Sequence, residues 1–175
     1  MGFLSFPDAT LPEMKSFHSI DGSIVAPQGF LTAGLFCDVK RLGTGKGSNK
    51  GQKRDLAVIV SEVPATAAGM FTTNQICAAP VKVCVDHIAD GKAQAVVINS
   101  GNANACTGPR GLKDAQEMAA LLAEELLLQP EDVLVGSTGR IGLELPMPNI
   151  RAGIRQIVKE LDDTPTAACH AAEAI

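Results

Sequence analysis

Two segments carry residues whose types and spacing could do chemistry: NSGNANACTG, Asn99 to Gly108, and GSTGRIG, Gly136 to Gly142. Each follows a short apolar run of the kind that forms a buried strand, and function gathers where loops leave such strands. In the second, glycines at 136, 139 and 142 flank Ser137 and Thr138, so the backbone can turn sharply and aim its N–H groups at one point. Donors about 3 Å from a developing negative oxygen form an oxyanion hole, each worth roughly 3 kcal/mol of an acyl-transfer barrier. Taken alone, the loop reads more simply as a strand-to-helix turn whose Ser and Thr cap the next element. In the first segment Asn99, Asn102 and Asn104, with Gly101 and Gly108, permit tight geometry including positive φ. Such a loop either cradles an anion or carboxylate with backbone N–H groups, or uses its asparagines to fix a buried connection.

Cys106 invites a nucleophile reading, but a catalytic thiol needs a base and an electropositive setting. His18, His87 and His170 are all remote in sequence, so a small buried thiol is the expectation for Cys106. His87 is expected at a loop or strand end and His170 on a helix surface. Cysteines at 37, 77, 84, 106 and 169 include no C-x-x-C pair, which argues against a zinc site and for reduced, mostly buried thiols in the cytoplasm. The stretch RLGTGKGSNKGQKR, Arg41 to Arg54, resembles a phosphate loop only superficially. Gly47 follows Lys46 where Ser or Thr is required, so it reads as an exposed flexible loop.

The elements that must position these residues follow from periodicity. LAVIVS, Leu56 to Ser61, and AVVINS, Ala95 to Ser100, are continuous apolar runs suited to strands covered on both faces. VKVCVD, Val81 to Asp86, alternates as a further strand, and VLVG, Val133 to Gly136, is another. Leu112, Ala115, Met118, Ala119, Leu122 and Leu126 form one helical stripe between Arg110 and Gln129, closed by Pro130. Ile150, Ile154, Ile157, Val158 and Leu161 mark a second amphipathic helix. Strands arriving before helices predict an α/β fold, a layered sheet-and-helix domain. Residues 1–23 read as an N-terminal extension and 24–175 as the domain.

With 175 residues, 46% hydrophobic and 19% charged, the chain is large enough for a core without staples. Its 3% aromatic content, six Phe with no Trp or Tyr, and net charge of −4 exclude a single-strand or polyanion binder, which wants stacking rings and clustered cations. No apolar run reaches the roughly 18 residues of a membrane span. The start of the chain fits neither a secretory signal nor an Arg-rich transit peptide. These features predict no nucleic acid, no membrane and a cytoplasmic location.

Read in order, VAPQGF (Val25 to Phe30), DLAVIVSEVPATAAGMFTTN (Asp55 to Asn74), AAPV (Ala78 to Val81), INSGNANACTG (Ile98 to Gly108) and VLVGSTGRIGLELPM (Val133 to Met147) resemble the ornithine acetyltransferase and glutamate N-acetyltransferase family of arginine biosynthesis. The likeness runs from about residue 24 to the end. It implies the α chain of a self-processing, N-terminal-nucleophile-like acetyltransferase, and assigns Thr138 and Gly139 to the oxyanion hole. Arg140 stands where the family more often has Val. The implied reaction moves acetyl from N2-acetyl-L-ornithine to L-glutamate through an acetyl-threonine enzyme. No cofactor is implied, with acetyl-CoA as a further donor in bifunctional members. The implied partner is a β chain cut from the same precursor, in an α2β2 heterotetramer. The nucleophile and substrate-binding stretch lie downstream in that family, so the chain is expected to be incomplete at its C-terminus. Thr164 and Thr166 match no nucleophile motif. Competing expectations are a self-processing amidohydrolase or aminopeptidase, and a non-catalytic fragment.

Overall fold

The computed structural model describes residues 20, 23–40 and 53–175. Nearly all of the expected extension, most of the Gly- and Lys-rich loop, and His18 lie outside the described residues. Among these residues a four-stranded sheet runs in chain order, β1 (Phe30–Leu35), β2 (Leu56–Thr66), β3 (Lys92–Asn102) and β4 (Val133–Arg140). The first two pairings are antiparallel, and β3 with β4 is parallel. A parallel pair needs a crossover, which helix α2 (Gly108–Leu126) provides. Helices α1 (Ala79–His87), α3 (Met147–Ile157) and α4 (Pro165–Ala174) complete the layers. The layered α/β expectation holds.

The register separates the sheet's faces, because successive side chains alternate. Val58 lies opposite Val97 and Val97 opposite Val135, so these valines and Leu56, two residues before Val58, line a single face. That row joins Met118 and Leu122 of α2 and Ile150, Ile154 and Ile157 of α3 in the main core. Helix α2 is capped by Leu127, which takes a left-handed φ of 58°, ahead of Pro130 as expected. Helix α3 continues into a 3-10 turn at Val158–Glu160. Its Arg151 grips Glu117 of α2 through both carboxylate oxygens, at 2.5 and 3.0 Å, which holds the Glu117 carboxyl below its usual range.

The alternating segment Val81–Asp86 is not a strand; it lies within helix α1. Ala78 is extended and Pro80 sits in the first turn, a favoured helix start. Only Val83 of the valine alternation is buried, together with Ala79 and Pro80, while Val85 is 45% exposed. The same residues obey a spacing of three to four, and α1 uses that face to cover the edge of β4. The Cys84 thiol donates to the Val135 carbonyl at 3.2 Å and accepts from its N–H at 3.3 Å. Nδ1 of His87, placed at the helix end, donates to the Val133 carbonyl at 2.8 Å.

The other face is covered by α4, whose Ala171 and Ala174 pack on Ala57. Thr164 caps its N-terminus by accepting from the Ala167 N–H at 3.3 Å. Contact is backbone-close: a Cβ on Gly34 would stand 2.1 Å from the His170 carbonyl oxygen and 2.6 Å from the Ala171 nitrogen. Neither atom can swing away as a side chain would. Gly34→Ala is expected to force α4 off the sheet and cost about 1–3 kcal/mol, read as a lowered urea midpoint; an unchanged midpoint would contradict this packing.

Candidate active site

Thr138 and Gly139 are not in a loop, as their glycine-rich surroundings suggest, but near the end of β4. Register places the two chemically suggestive segments side by side: Asn99 opposite Ser137, Ser100 opposite Thr138, Gly101 opposite Gly139 and Asn102 opposite Arg140. The parallel ladder therefore does what sequence could only hint at. The α1 contacts at Val133 and Val135 show which backbone groups of β4 point off the open edge. Alternation along the strand carries that direction to Ser137 and Gly139, beyond the α1 bonds to Val133 and Val135, while the Arg140 carbonyl turns back to accept from the Ala103 N–H at 2.8 Å. The Gly139 N–H is thus directed away from β3. Thr138 and Gly139 are exposed and line a cavity of about 380 Å³ with Ser100 and Gly101.

Glycine is required where the strands end. Gly101 and Gly139 have φ of 121° and 126°, a region that side chains rarely adopt. A Cβ on Gly139 would lie 2.2 Å from the Gly101 carbonyl oxygen, and one on Gly101 would lie 2.9 Å from the Lys40 nitrogen. Three backbone segments are stacked there. The outermost is held by Asp55, fully buried, whose carboxylate accepts from the N–H groups of Cys37, Val39 and Lys40 at 2.7, 2.7 and 2.9 Å. Burial first, and then the Asp55 charge, push the nearby Cys37 thiol well above the usual thiol range, so it stays protonated.

The asparagines fix backbone rather than present an anion cradle. Nδ2 of Asn99 donates to the Asn102 carbonyl at 3.0 Å, and its Oδ1 accepts from the Ser137 hydroxyl at 2.6 Å. Asn102 donates to the Glu144 carbonyl at 2.8 Å. Asn104, left-handed at φ 48°, donates to the Gly111 carbonyl at 2.8 Å and accepts from the Thr107 hydroxyl at 2.7 Å. The Ser100 hydroxyl is tied to the Ala174 carbonyl, joining the end of α4 to the strand beside Thr138.

Cys106 is exposed, contrary to the buried expectation, because its left-handed φ of 57° turns it outward just before α2. It lines a separate pocket with Cys77 and Lys82, with no histidine in its wall. Cys169 is also exposed, and Cys37, Cys77 and Cys84 are only half-buried, so the expectation of mostly buried thiols fails; all five are free. The described histidines, His87 and His170, lie on α1 and α4. Sequence reasoning missed Ser100, Lys40 and Lys53 in the cavity wall, and it missed Asp55. Their placement depends on strand register, for which no local pattern exists.

A four-stranded sheet layered with helices places the chain in the α/β class. The crystal structure of ornithine acetyltransferase from Mycobacterium tuberculosis, complexed with ornithine, superposes with a TM-score of 0.79 at 37% identity, over 88% of this chain and 78% of that one. The arginine biosynthesis bifunctional protein ArgJ of Bacillus halodurans does so equally, at 0.79 and 43% identity, over 88% and 75%. The ArgJ family model matches residues 41–175, and the chain belongs to that family. Among curated relatives, the ArgJ bifunctional protein of Symbiobacterium thermophilum is 48% identical over 154 residues, 88% of this chain and 36% of its own length. That of Bacillus anthracis is 52% identical over 139 residues, 79% and 32%. This chain thus spans about a third of the length of these relatives.

Gly139→Ala is expected to break the close approach to Gly101 and destabilise the strand ends by about 2 kcal/mol or more, from overpacking plus left-handed strain. Ser137→Ala, which removes only the bond to Asn99, should cost about 1 kcal/mol. Chemical denaturation ranks the two, and the reverse order would count against the stacked-backbone account.

Proposed function

We propose that this chain supplies the oxyanion-stabilising part of an acetyltransferase of arginine biosynthesis, moving acetyl from N2-acetyl-L-ornithine to L-glutamate. The observation that carries the reading is the Thr138–Gly139 pair at the exposed end of β4, facing a cavity. Membership of the ArgJ family and the name of the ornithine acetyltransferase neighbour support it.

In this reading a threonine hydroxyl from a downstream chain attacks the acetyl carbonyl of acetylornithine. The carbonyl π electrons move onto oxygen, and that oxyanion accepts hydrogen bonds from the Thr138 hydroxyl and the Gly139 N–H. Collapse expels ornithine, whose amine takes up a proton, and leaves an acetyl ester on the nucleophile. The amine of glutamate then attacks the ester carbonyl, the hole stabilises the second oxyanion, and its collapse breaks the ester bond, releasing N-acetylglutamate as the proton lost by the amine returns to the threonine oxygen. Both steps form negative charge at the same oxygen, so one pair of fixed donors serves both. The glutamate N-acetyltransferase activity, acetyl-CoA as an alternative donor, self-cleavage to α and β chains, an α2β2 assembly and a cytoplasmic setting belong to the same proposal. No helix among the described residues is long and apolar enough to cross a membrane.

The test is acetyl transfer from acetylornithine to glutamate by the complete gene product. Thr138→Ala should lower kcat by about 10²-fold with little change in KM, because its donor is engaged only as charge develops. Wild-type turnover in Thr138→Ala, or acid release independent of glutamate, would sink the reading, the latter in favour of an amidohydrolase.

A further inference from the structure

The wall of the cavity beside Thr138 and Gly139 contains three charged side chains, Lys40, Lys53 and Arg140, and no Asp or Glu. In a chain with 15 basic and 19 acidic residues, that grouping runs against composition. Among the described residues the ion pairs engage Arg54, Arg110, Arg151 and Arg155, and neither Lys53 nor Arg140 takes part in one. Both are exposed. Lys40 stands differently: its ammonium donates to the carbonyls of Arg54 at 2.7 Å and Glu173 at 3.3 Å, and burial pulls it below its ordinary range while the Asp55 and Glu173 carboxylates oppose that shift.

Position strengthens the case. Thr138 and Arg140 are two residues apart on β4, facing Ser100 and Asn102 in register. Both line the same cavity, and alternate strand positions lie roughly 7 Å apart. A guanidinium at that offset is within reach of an anionic group on a molecule whose acyl carbon sits at Thr138 and Gly139. In an N-acylamino acid the carboxylate is on the carbon bonded to the amide nitrogen, so the anion accompanies the reacting carbonyl closely. In an acyl thioester of a phosphorylated carrier the phosphates trail farther from the reacting carbonyl, where Lys53 is a second cation of the same wall. An exposed cation facing bulk water gains little, whereas a cation facing a cavity is less screened.

We propose that Lys53 and Arg140, with Lys40 behind them, form an anion-binding site that receives the carboxylate or phosphate of the acyl donor or acceptor whose carbonyl engages Thr138 and Gly139. The site rests on the reading of that pair as an acyl-transfer centre, and it makes Arg140 a specificity-determining residue.

Calorimetric titration of the complete gene product tests it with N-acetyl-L-glutamate as the carboxylate probe, coenzyme A as the phosphate probe and pantetheine as their uncharged control. The wild-type protein should bind at least one anionic probe more tightly than pantetheine, and added salt should weaken only the anions. The double substitution Lys53→Gln with Arg140→Gln should weaken the preferred anion about tenfold or more, leave pantetheine unchanged and leave the melting temperature unaltered. Loss confined to N-acetylglutamate assigns the site to a carboxylate, and loss confined to coenzyme A assigns it to a phosphate. Equal loss for pantetheine, undiminished anion binding in the double variant, or no anion binding by wild type overturns it. Acetyl-transfer rates on the same samples separate the two readings. Anion binding without transfer keeps the site and removes the acetyltransferase reading; transfer without anion preference removes the site alone.

Discussion

The site depends on three backbones meeting without side chains between them: the Val39–Lys40 peptide on Gly101, and Gly101 on Gly139. Backbone contact of this kind has no soft component. A side chain can rotate away from a neighbour, but a carbonyl 2.2 Å from a would-be Cβ cannot move without breaking a strand. The stack is held from behind by the Asp55 carboxylate, a buried anion satisfied by three N–H groups. Burying a carboxylate is costly unless it is fully hydrogen-bonded, and here the donors that satisfy it are those of the segment pressed on Gly101. The cost of the charge and the position of the backbone are therefore coupled. Asp55 also bridges the sheet itself, its N–H donating to the Leu35 carbonyl and its carbonyl accepting from the Ser100 N–H, so the anchor and both neighbouring strands move as a unit.

A preorganised donor pair works only if its groups need not reorganise as charge appears. The rigidity comes from both sides of the sheet. On one face, long aliphatic side chains of α2 and α3 fill the core over β2 to β4. On the other, α4 lies so close that alanines and Gly34 are all the space admits. The scarcity of rings fits this second contact, because an aromatic side chain anywhere in it would lift the helix by several ångströms. The Ser100 hydroxyl bond to the Ala174 carbonyl then fastens the end of α4 next to the Thr138 position.

Sequence made the apolar half of this architecture legible. Runs such as LAVIVS and AVVINS and the stripe from Leu112 to Leu126 signal burial directly, and β2, β3 and α2 follow. It misled at Val81–Asp86, where a valine every second residue also satisfies a helical spacing and Pro80 decides the matter locally. Strand β1 carries a weak local signal although Leu31, Ala33 and Leu35 alternate with Thr32 and Gly34, because Gly34 dilutes a strand pattern and its reason, the close approach of α4, lies far along the chain. Helix α4 left its own start signal, Thr164 before Pro165, in a segment with too little hydrophobic contrast to show a stripe. The motif residues themselves were visible, but that both belong to strands, and in which register, was not. Register is fixed by burial across the sheet rather than by the glycine-rich segments themselves.

Edge position completes the logic of the site. An edge strand exposes unpaired N–H groups, normally a hazard that proteins cover. Here the cover is partial: Cys84 and His87 occupy the outward groups of Val135 and Val133, and the same row continues past α1 to Gly139. A donor at the centre of the sheet would be consumed by a neighbouring strand, and one in a loose loop would have to be ordered at each encounter. The last residues of an edge strand, stacked on a second glycine and backed by a buried carboxylate, avoid both losses. This is why the oxyanion reading places its amide at a strand end, where the ladder fixes the direction of the N–H without using it.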